Sequence, residues 1–229
     1  MSEGSFDSRG IIGISKIGNR LIDIPACFMR NGGKAVITGD ALEPQDWSEF
    51  DGIGTEYCLE FQNTQDEIPA HAFEDDENLK AIIAPQVEKI GIFAFKRCFN
   101  LKLTSFRGAR AIGKAAFHSC NKLIYIIFDN ALSISSQAFM GCRLIERAFF
   151  PKTRYIGVMA FESCPKLKDI HIPCVKSERM LAYSGIISSE QLESIRIDDR
   201  NPRLADIKTF LEKRGLEHLL RSVKCEQEE

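Results

Sequence analysis

The chain has 229 residues, with 30 Lys and Arg against 32 Asp and Glu, a net charge of -2. At 44% hydrophobic and 27% charged residues it can bury a core, so wholesale disorder is excluded, and the balanced charge excludes a polyelectrolyte. Sixteen Phe beside one Trp and four Tyr, and eight Cys, are excesses that need a cause.

The most apolar early stretch, residues 11–28, is broken by Lys16, Arg20, Asp23 and Pro25. A membrane span needs about 20 mostly apolar residues. A secretory signal needs a basic start and an unbroken apolar centre, whereas Glu3, Asp7 and a single Arg9 stand here. The expectation is a cytoplasmic protein without a membrane span. Unconventional export to the cell surface is the alternative.

Residues 1–67 read as a β-rich N-terminal capping region, with an independent domain as the other reading. Residues 11–17 and 20–24 flank Gly18-Asn19, a hairpin signal. Residues 33–38 predict another strand. Residues 57–61 resemble a worn repeat, because Phe61 stands 23 residues before Ala84.

From residue 68 the chain repeats every 22 residues. Phe73, Phe95, Phe117, Phe139 and Phe161 keep that spacing, and so do Ile68, Ile90, Ile112, Ile134 and Ile156. Ala72, Ala94, Ala116, Ala138 and Ala160 precede each Phe. Cys98, Cys120, Cys142 and Cys164 follow the last four by three residues, and Leu79, Leu101, Leu123, Ile145 and Leu167 come six after each Phe. The unit reads I-G-x-x-A-F-x-x-C-x-x-L-x-x-I-x-F/I.

Each unit has two parts. Leu123, Ile126 and Phe128 mark an L-x-x-L-x-L piece of β-formers, which predicts a short strand. Ile112, Ala116 and Phe117 lie at helical spacing, which predicts one short α or 3-10 turn. Gly91, Gly113 and Gly157 suit a tight corner, where Pro69 and Ser135 stand in the other units. So short a unit cannot bury its apolar face alone, and neighbours must stack. The predicted fold is an α/β solenoid for residues 68–177. It is a right-handed horseshoe of 22-residue coils with a parallel sheet on the concave face and short helical turns on the other side.

Residues 156–173, Ile156-Gly157 through Ala160-Phe161, Cys164 and Leu167 to Ile170, Ile172 and Pro173, carry a pattern that resembles the BspA-type leucine-rich repeat family. The resemblance covers about half the chain. It implies a leucine-rich-repeat fold and a binding scaffold, in a family often described as surface antigens or adhesins. Thr104 and Ala148 at core strand positions depart from the pattern, as does a spacing one residue shorter between Cys142 and Leu144.

Beyond Pro173 the pattern stretches. Leu192, Ile195 and Ile197 repeat Leu167, Ile170 and Ile172 at an offset of 25, so residues 178–200 predict a degenerate sixth repeat. Residues 201–229 read as a helical cap and a disordered tail. Asn201 is the expected N-cap, Pro202 the first helical residue, and Gly215 the stop. Leu216, Leu219, Leu220 and Val223 predict a second short helix. Cys225, fifth from the end, does not form a prenylation box.

Signals of chemistry are weak. Four Cys at one repeat position lie on a line at one strand spacing, about 5 Å, per step. Four ligands at about 2.3 Å cannot share an ion along such a line. Neighbouring Cys meet disulfide distance, but no secretory signal supports oxidation, so buried small hydrophobes are expected. Residues 108–114 resemble a phosphate loop, yet Ala115 replaces the Ser or Thr that binds magnesium. His71, His118, His171 and His218 share no metal spacing. No catalytic residues, cofactor or metal site are assigned, and no enzyme activity is expected.

Alternate strand residues point out of the concave sheet. They form an apolar middle of Ile83, Leu103, Tyr125, Ile127 and Phe149 beside a polar end of Arg147, Asp169, His171 and Arg196. An apolar cluster with a charged rim is the pattern of a protein interface. Two readings stay open: a protein partner binds there, or the N-terminal region or a second copy of the chain covers it, making a homo-oligomer. Residues 90–177 also carry 14 Lys and Arg against 4 Asp and Glu, net +10, while residues 1–67 carry 5 against 12, net -7. A basic middle is the mark of a nucleic-acid or anionic-surface binder. No aromatic-basic motif accompanies it, so solvated outer faces are favoured over nucleic acid. The functional expectation is a non-enzymatic protein-interaction scaffold using the concave face, with a surface antigen or adhesin as the alternative.

Overall fold

The structure is a computed structural model that describes residues 66–223 and, before them, the strands Ile11–Ile17, Arg20–Pro25, Lys34–Ile37 and Tyr57–Phe61. The Gly18-Asn19 turn and the tail from Glu226 lie outside the described residues.

The 22-residue period becomes a stack of coils, each with two strands. The longer strands, Leu79–Ile83, Leu103–Ser105, Tyr125–Ile127, Arg147–Phe149, Asp169–His171 and Ser194–Asp198, line one face. The two-residue strands Glu67–Ile68, Lys89–Ile90, Ala111–Ile112, Ser133–Ile134 and Tyr155–Ile156 form an unbroken parallel sheet of their own. Register follows the repeat, with Tyr125 opposite Arg147 and Arg147 opposite Asp169. The expected sixth strand pairs at its offset of 25, Asp169 with Ser194 and Ile170 with Ile195.

The longer face is divided once. Leu103–Ser105 closes one sheet and Tyr125–Ile127 opens another, with no ladder pairing between them. Elsewhere the ladder is flanked by bonds such as Lys102 N–H to the Lys80 carbonyl and Ala84 N–H to the Ser105 carbonyl. At the seam, Thr104 fills the place that Ile82, Ile126 and Ile170 fill in other coils, and its buried hydroxyl has no hydrogen-bond partner among the described residues.

The third side of each coil is a run of i→i−3 turns, Ala94 N–H to the Gly91 carbonyl and Lys96 N–H to the Phe93 carbonyl. Alternate residues donate instead to the next coil: Phe93, Phe95 and Arg97 to the carbonyls of Lys114, Ala116 and His118. This stitching requires two left-handed residues per coil. They are His71, Phe93, Ala115, Gln137 and Met159 in one row, and Asp75, Arg97, Ser119, Gly141 and Ser163 in the other. The corner glycines serve a different need. A Cβ on Gly113 would stand 2.6 Å from the Gly91 carbonyl carbon, so the coils touch backbone to backbone there. That packing, not a phosphate cradle, explains Gly113.

Two aromatic columns fill the core. Phe73, Phe95, Phe117, Phe139 and Phe161 stack with centroids 5.0 to 5.4 Å apart. Phe106, Phe128 and Phe150 stack at 5.7 to 6.0 Å. The columns meet edge-on, as at Phe117 and Phe128, an arrangement aromatic rings favour. Ile145 is fully buried and Leu144 only partly, so Ile145 takes the leucine position and no residue is missing after Cys142.

At the N-terminal side, Ile11–Ile17 and Arg20–Pro25 pair antiparallel. Tyr57–Phe61 pairs parallel with Leu79–Ile83, as a worn coil should. The C-terminal side brings two differences. Helix α1, Glu178–Tyr183, occupies the stretched unit, and Ser177 caps it by accepting the Arg179 N–H at 3.1 Å. Helix α2, Leu204–Glu212, buries Ile207 and Leu211, but begins after Arg203 rather than at Pro202. Asn201 is not its N-cap as expected: Arg203 holds that position without a side-chain cap bond, while the Asn201 amide donates to the Pro173 and Val175 carbonyls and its oxygen accepts the Arg203 N–H. The predicted second helix is a correction. Residues Glu217–Leu219 make a 3-10 turn, and Leu220–Val223 is a strand paired parallel with Ser194–Asp198. A helix-like i, i+3, i+4 spacing here reflects one turn followed by one strand, and the last described edge of the sheet is that strand.

Candidate functional site

The concave face presents the side chains that strand alternation predicts. Leu103, Tyr125, Ile127 and Phe149 are 54%, 55%, 54% and 40% exposed, high values for large apolar groups. Arg147 and Arg196 are exposed, and Asp169 and His171 are half-buried. Ile83 is also half-buried, in the neighbouring sheet beyond the seam.

A hollow of about 270 Å³ gathers Tyr125, Ile127, Arg147, Phe149, Asp169, His171 and Arg196. It does not include Ile83 or Leu103. Its floor contains Ile126 and Ala148, which the face reading missed because both are core positions. The small Ala148, between Ile126 and Ile170 in register, was the available signal.

The polar end is organised. Arg196 grips Asp169 with two hydrogen bonds, Nε to Oδ1 at 3.0 Å and Nη2 to Oδ2 at 2.8 Å. The Ser194 hydroxyl also donates to that carboxylate. Phe149 and His171 stack face to face, centroids 4.5 Å apart. Burial holds the His171 pKa below its ordinary value, the Arg196 charge lowers it further, and Asp169 only partly offsets them. The stack is therefore an aromatic shelf with a neutral imidazole near pH 7.

The remaining chemical candidates resolve into structure. Cys98, Cys120, Cys142 and Cys164 are buried free thiols. Each donates to the carbonyl of the core Phe one coil back, Cys120 to Phe95 and Cys142 to Phe117, both at 3.0 Å. Burial raises their pKa values. Asp76, in the Cys place of the first unit, accepts the N–H groups of Asn78 and Leu79 instead. Among the described residues no group of three or more His, Cys, Asp or Glu is placed to hold a metal ion, and no helix is long and apolar enough to cross a membrane. Part of the basic surplus pairs one coil back: Lys96 with Glu74 at 2.8 Å, Lys168 with Glu146 at 3.6 Å and Arg110 with Glu88 at 3.8 Å.

Stacked 22-residue coils, parallel pairing from coil to coil and an exposed apolar strand face define a leucine-rich-repeat solenoid. The family described as BspA type Leucine rich repeat region matches residues 59–204 in six copies, and the chain belongs to it. The match takes in the end of the worn coil at Tyr57–Phe61, from residue 59, and the stretched sixth unit.

Among solved structures the chain is similar to the T. pallidum leucine rich repeat protein TpLRR, at 20% identity and a TM-score of 0.55, covering 84% of this chain and 92% of that one. It is also similar to a leucine-rich repeat protein from Bacteroides ovatus, at 20% identity and a TM-score of 0.51, covering 80% of this chain and 47% of that one. A leucine rich cell surface protein from Faecalibacterium prausnitzii is 21% identical with a TM-score of 0.50, covering 76% of this chain and 42% of that one. The chain thus spans under half the length of the last two. These likenesses concern the fold. No curated protein matches the chain.

Proposed function

We propose that the protein is a non-enzymatic scaffold that binds a protein partner across Tyr125, Ile127 and Phe149, with Arg147, Asp169, His171 and Arg196 as the polar rim. The observation that carries this reading is the hollow of about 270 Å³ lined by three large, exposed apolar side chains, Tyr125, Ile127 and Phe149. Water held against such a patch is released on binding, at roughly 25 cal/mol per Å² of apolar surface covered. Aromatic anchors in a small depression with a charged rim suit the centre of an interface. The Asp169–Arg196 pair is already satisfied within the chain, so it fixes the rim and leaves contact energy to the rings.

The test is affinity capture with the unmodified chain, compared with the Tyr125→Ala/Phe149→Ala variant. Capture should fall at least tenfold while circular dichroism and the melting temperature stay unchanged, since both side chains are exposed. Equal capture by the variant sinks the site. Sedimentation of the isolated chain separates a foreign partner from a second copy seated on the same face. Cell fractionation decides between the cytosolic location we favour and the cell surface.

A further inference from the structure

A second, larger depression lies off the concave face. At the corner where each longer strand turns toward the short sheet, successive coils place Arg154, Cys174 with Lys176, and Arg200 with Arg203 side by side. They line a cleft of about 690 Å³. Its carboxylate, Asp198, is engaged by Arg200 through Nε at 3.2 Å and Nη2 at 3.1 Å and also accepts the Arg200 N–H at 2.8 Å. Arg203 pairs with Asp206 at 3.0 Å. Among the described residues no carboxylate pairs with Arg154, and Lys176 rests only over the Tyr155 ring, 5.5 Å from its centroid.

We propose that this cleft binds a small multiply charged oxyanion, a phosphate ester or pyrophosphate-bearing molecule. Two unpaired cations one coil apart, about 5 Å by strand spacing, repel each other in a walled depression that focuses their field. A bound oxyanion removes that repulsion and accepts from a guanidinium fork and an ammonium together. The charge also reaches a neighbouring group. Burial and Asp198 raise the Cys174 pKa, whereas Arg154 and Arg200 oppose the rise, so their field converges inside the cleft. The start of α2 at Leu204 adds the positive end of a helix beside Pro202 and Arg203 at the rim. The volume exceeds that of one phosphate and suits an ester with an attached sugar or base.

The test uses the full chain and inorganic pyrophosphate as the probe, by isothermal titration calorimetry at low salt. Saturable binding is expected, weakened by added sodium chloride and at least tenfold weaker in Arg154→Ala/Lys176→Ala. Both side chains are exposed, so the variant should keep its melting temperature. Arg147→Ala, on the concave face, should bind pyrophosphate as the parent does. Cys174 supplies a second readout, because it is the exposed thiol of the described cysteines. Pyrophosphate should slow its alkylation severalfold in the parent and not in the double variant. No binding at millimolar pyrophosphate, equal affinity in the double variant, or unprotected Cys174 overturns the proposal. The concave-face reading is untouched by any of these outcomes.

Discussion

The ladder cysteines sit where a slightly larger or more polar side chain would strain the core. Cys120 is fully buried and hydrogen-bonded to the Phe95 carbonyl, and its pKa is pushed well above the ordinary cysteine value by burial, with Cys142 and Cys98 adding to the rise. A raised folded pKa has a definite sign. The unfolded chain loses its thiol protons from about pH 8.5 upward, while the folded chain keeps them. Stability is therefore complete below that pH and falls as pH rises beyond it, by up to about 1.4 kcal/mol per pH unit for each thiol. The urea midpoint, measured under reducing conditions, should decline between about pH 8.5 and 9.5. Cys120→Ala should show a shallower decline, one thiol's worth less, after a loss of about 1–2 kcal/mol at pH 7.

The left-handed turn residues make a second residue-scale case. Ser163, at φ 58°, is a non-glycine in a conformation that costs an L-residue roughly 1–2 kcal/mol. Gly141 occupies the equivalent place one coil earlier at φ 74°. Ser163→Gly is expected to raise thermal stability and Gly141→Ala to lower it, each by about 1 kcal/mol in urea denaturation. A matched sign for the two changes would mean that the turn conformation is not what sets the preference.

At the scale of elements, the strands were legible because apolar residues recur at fixed places in each unit. Leu123, Ile126 and Phe128 point inward, and Tyr125 and Ile127 outward, as their alternation requires. The turns were less legible. Ala116 and Phe117 are adjacent in any tight turn, so their spacing did not distinguish helix from the left-handed stitching that joins Phe117 N–H to the Ala138 carbonyl. The same ambiguity produced the second helix at Leu216 to Val223, since i, i+3, i+4 spacing also suits a turn that runs into a strand. Helix α1 had no signal beyond its extra three residues and the Ser177 cap. Of the candidate site, the outward residues followed from strand alternation. The hollow did not, because it depends on Ala148 being small at a core position. The basic corner was hidden for another reason: Arg154, Lys176 and Arg200 meet only once coils of unequal length are stacked.

At the scale of the molecule, stability is divided among coils that touch only their neighbours, and a whole coil is the natural unit of change. Deleting residues 112–133, one period of 22, should rejoin Ala111 to Ile134 in register and leave a cooperative, folded chain. It also removes Tyr125 and Ile127, so partner capture should be lost with the fold retained. Deleting 112–130, three residues fewer, shifts every later Phe out of its column and should abolish the cooperative transition followed by circular dichroism.

The seam beside Thr104 gives this stack a mechanical consequence. On one side the coils are joined through the seam by the short sheet, the turn bonds and the Phe columns. On the concave side, between Leu103–Ser105 and Tyr125–Ile127, the ladder is missing. A rod bonded along its back and open along its front is softest toward one direction of bending. Leu103 and Tyr125, on opposite lips of that opening, would part or close with little backbone cost, so the curvature of the face becomes an adjustable property that a docking surface can select.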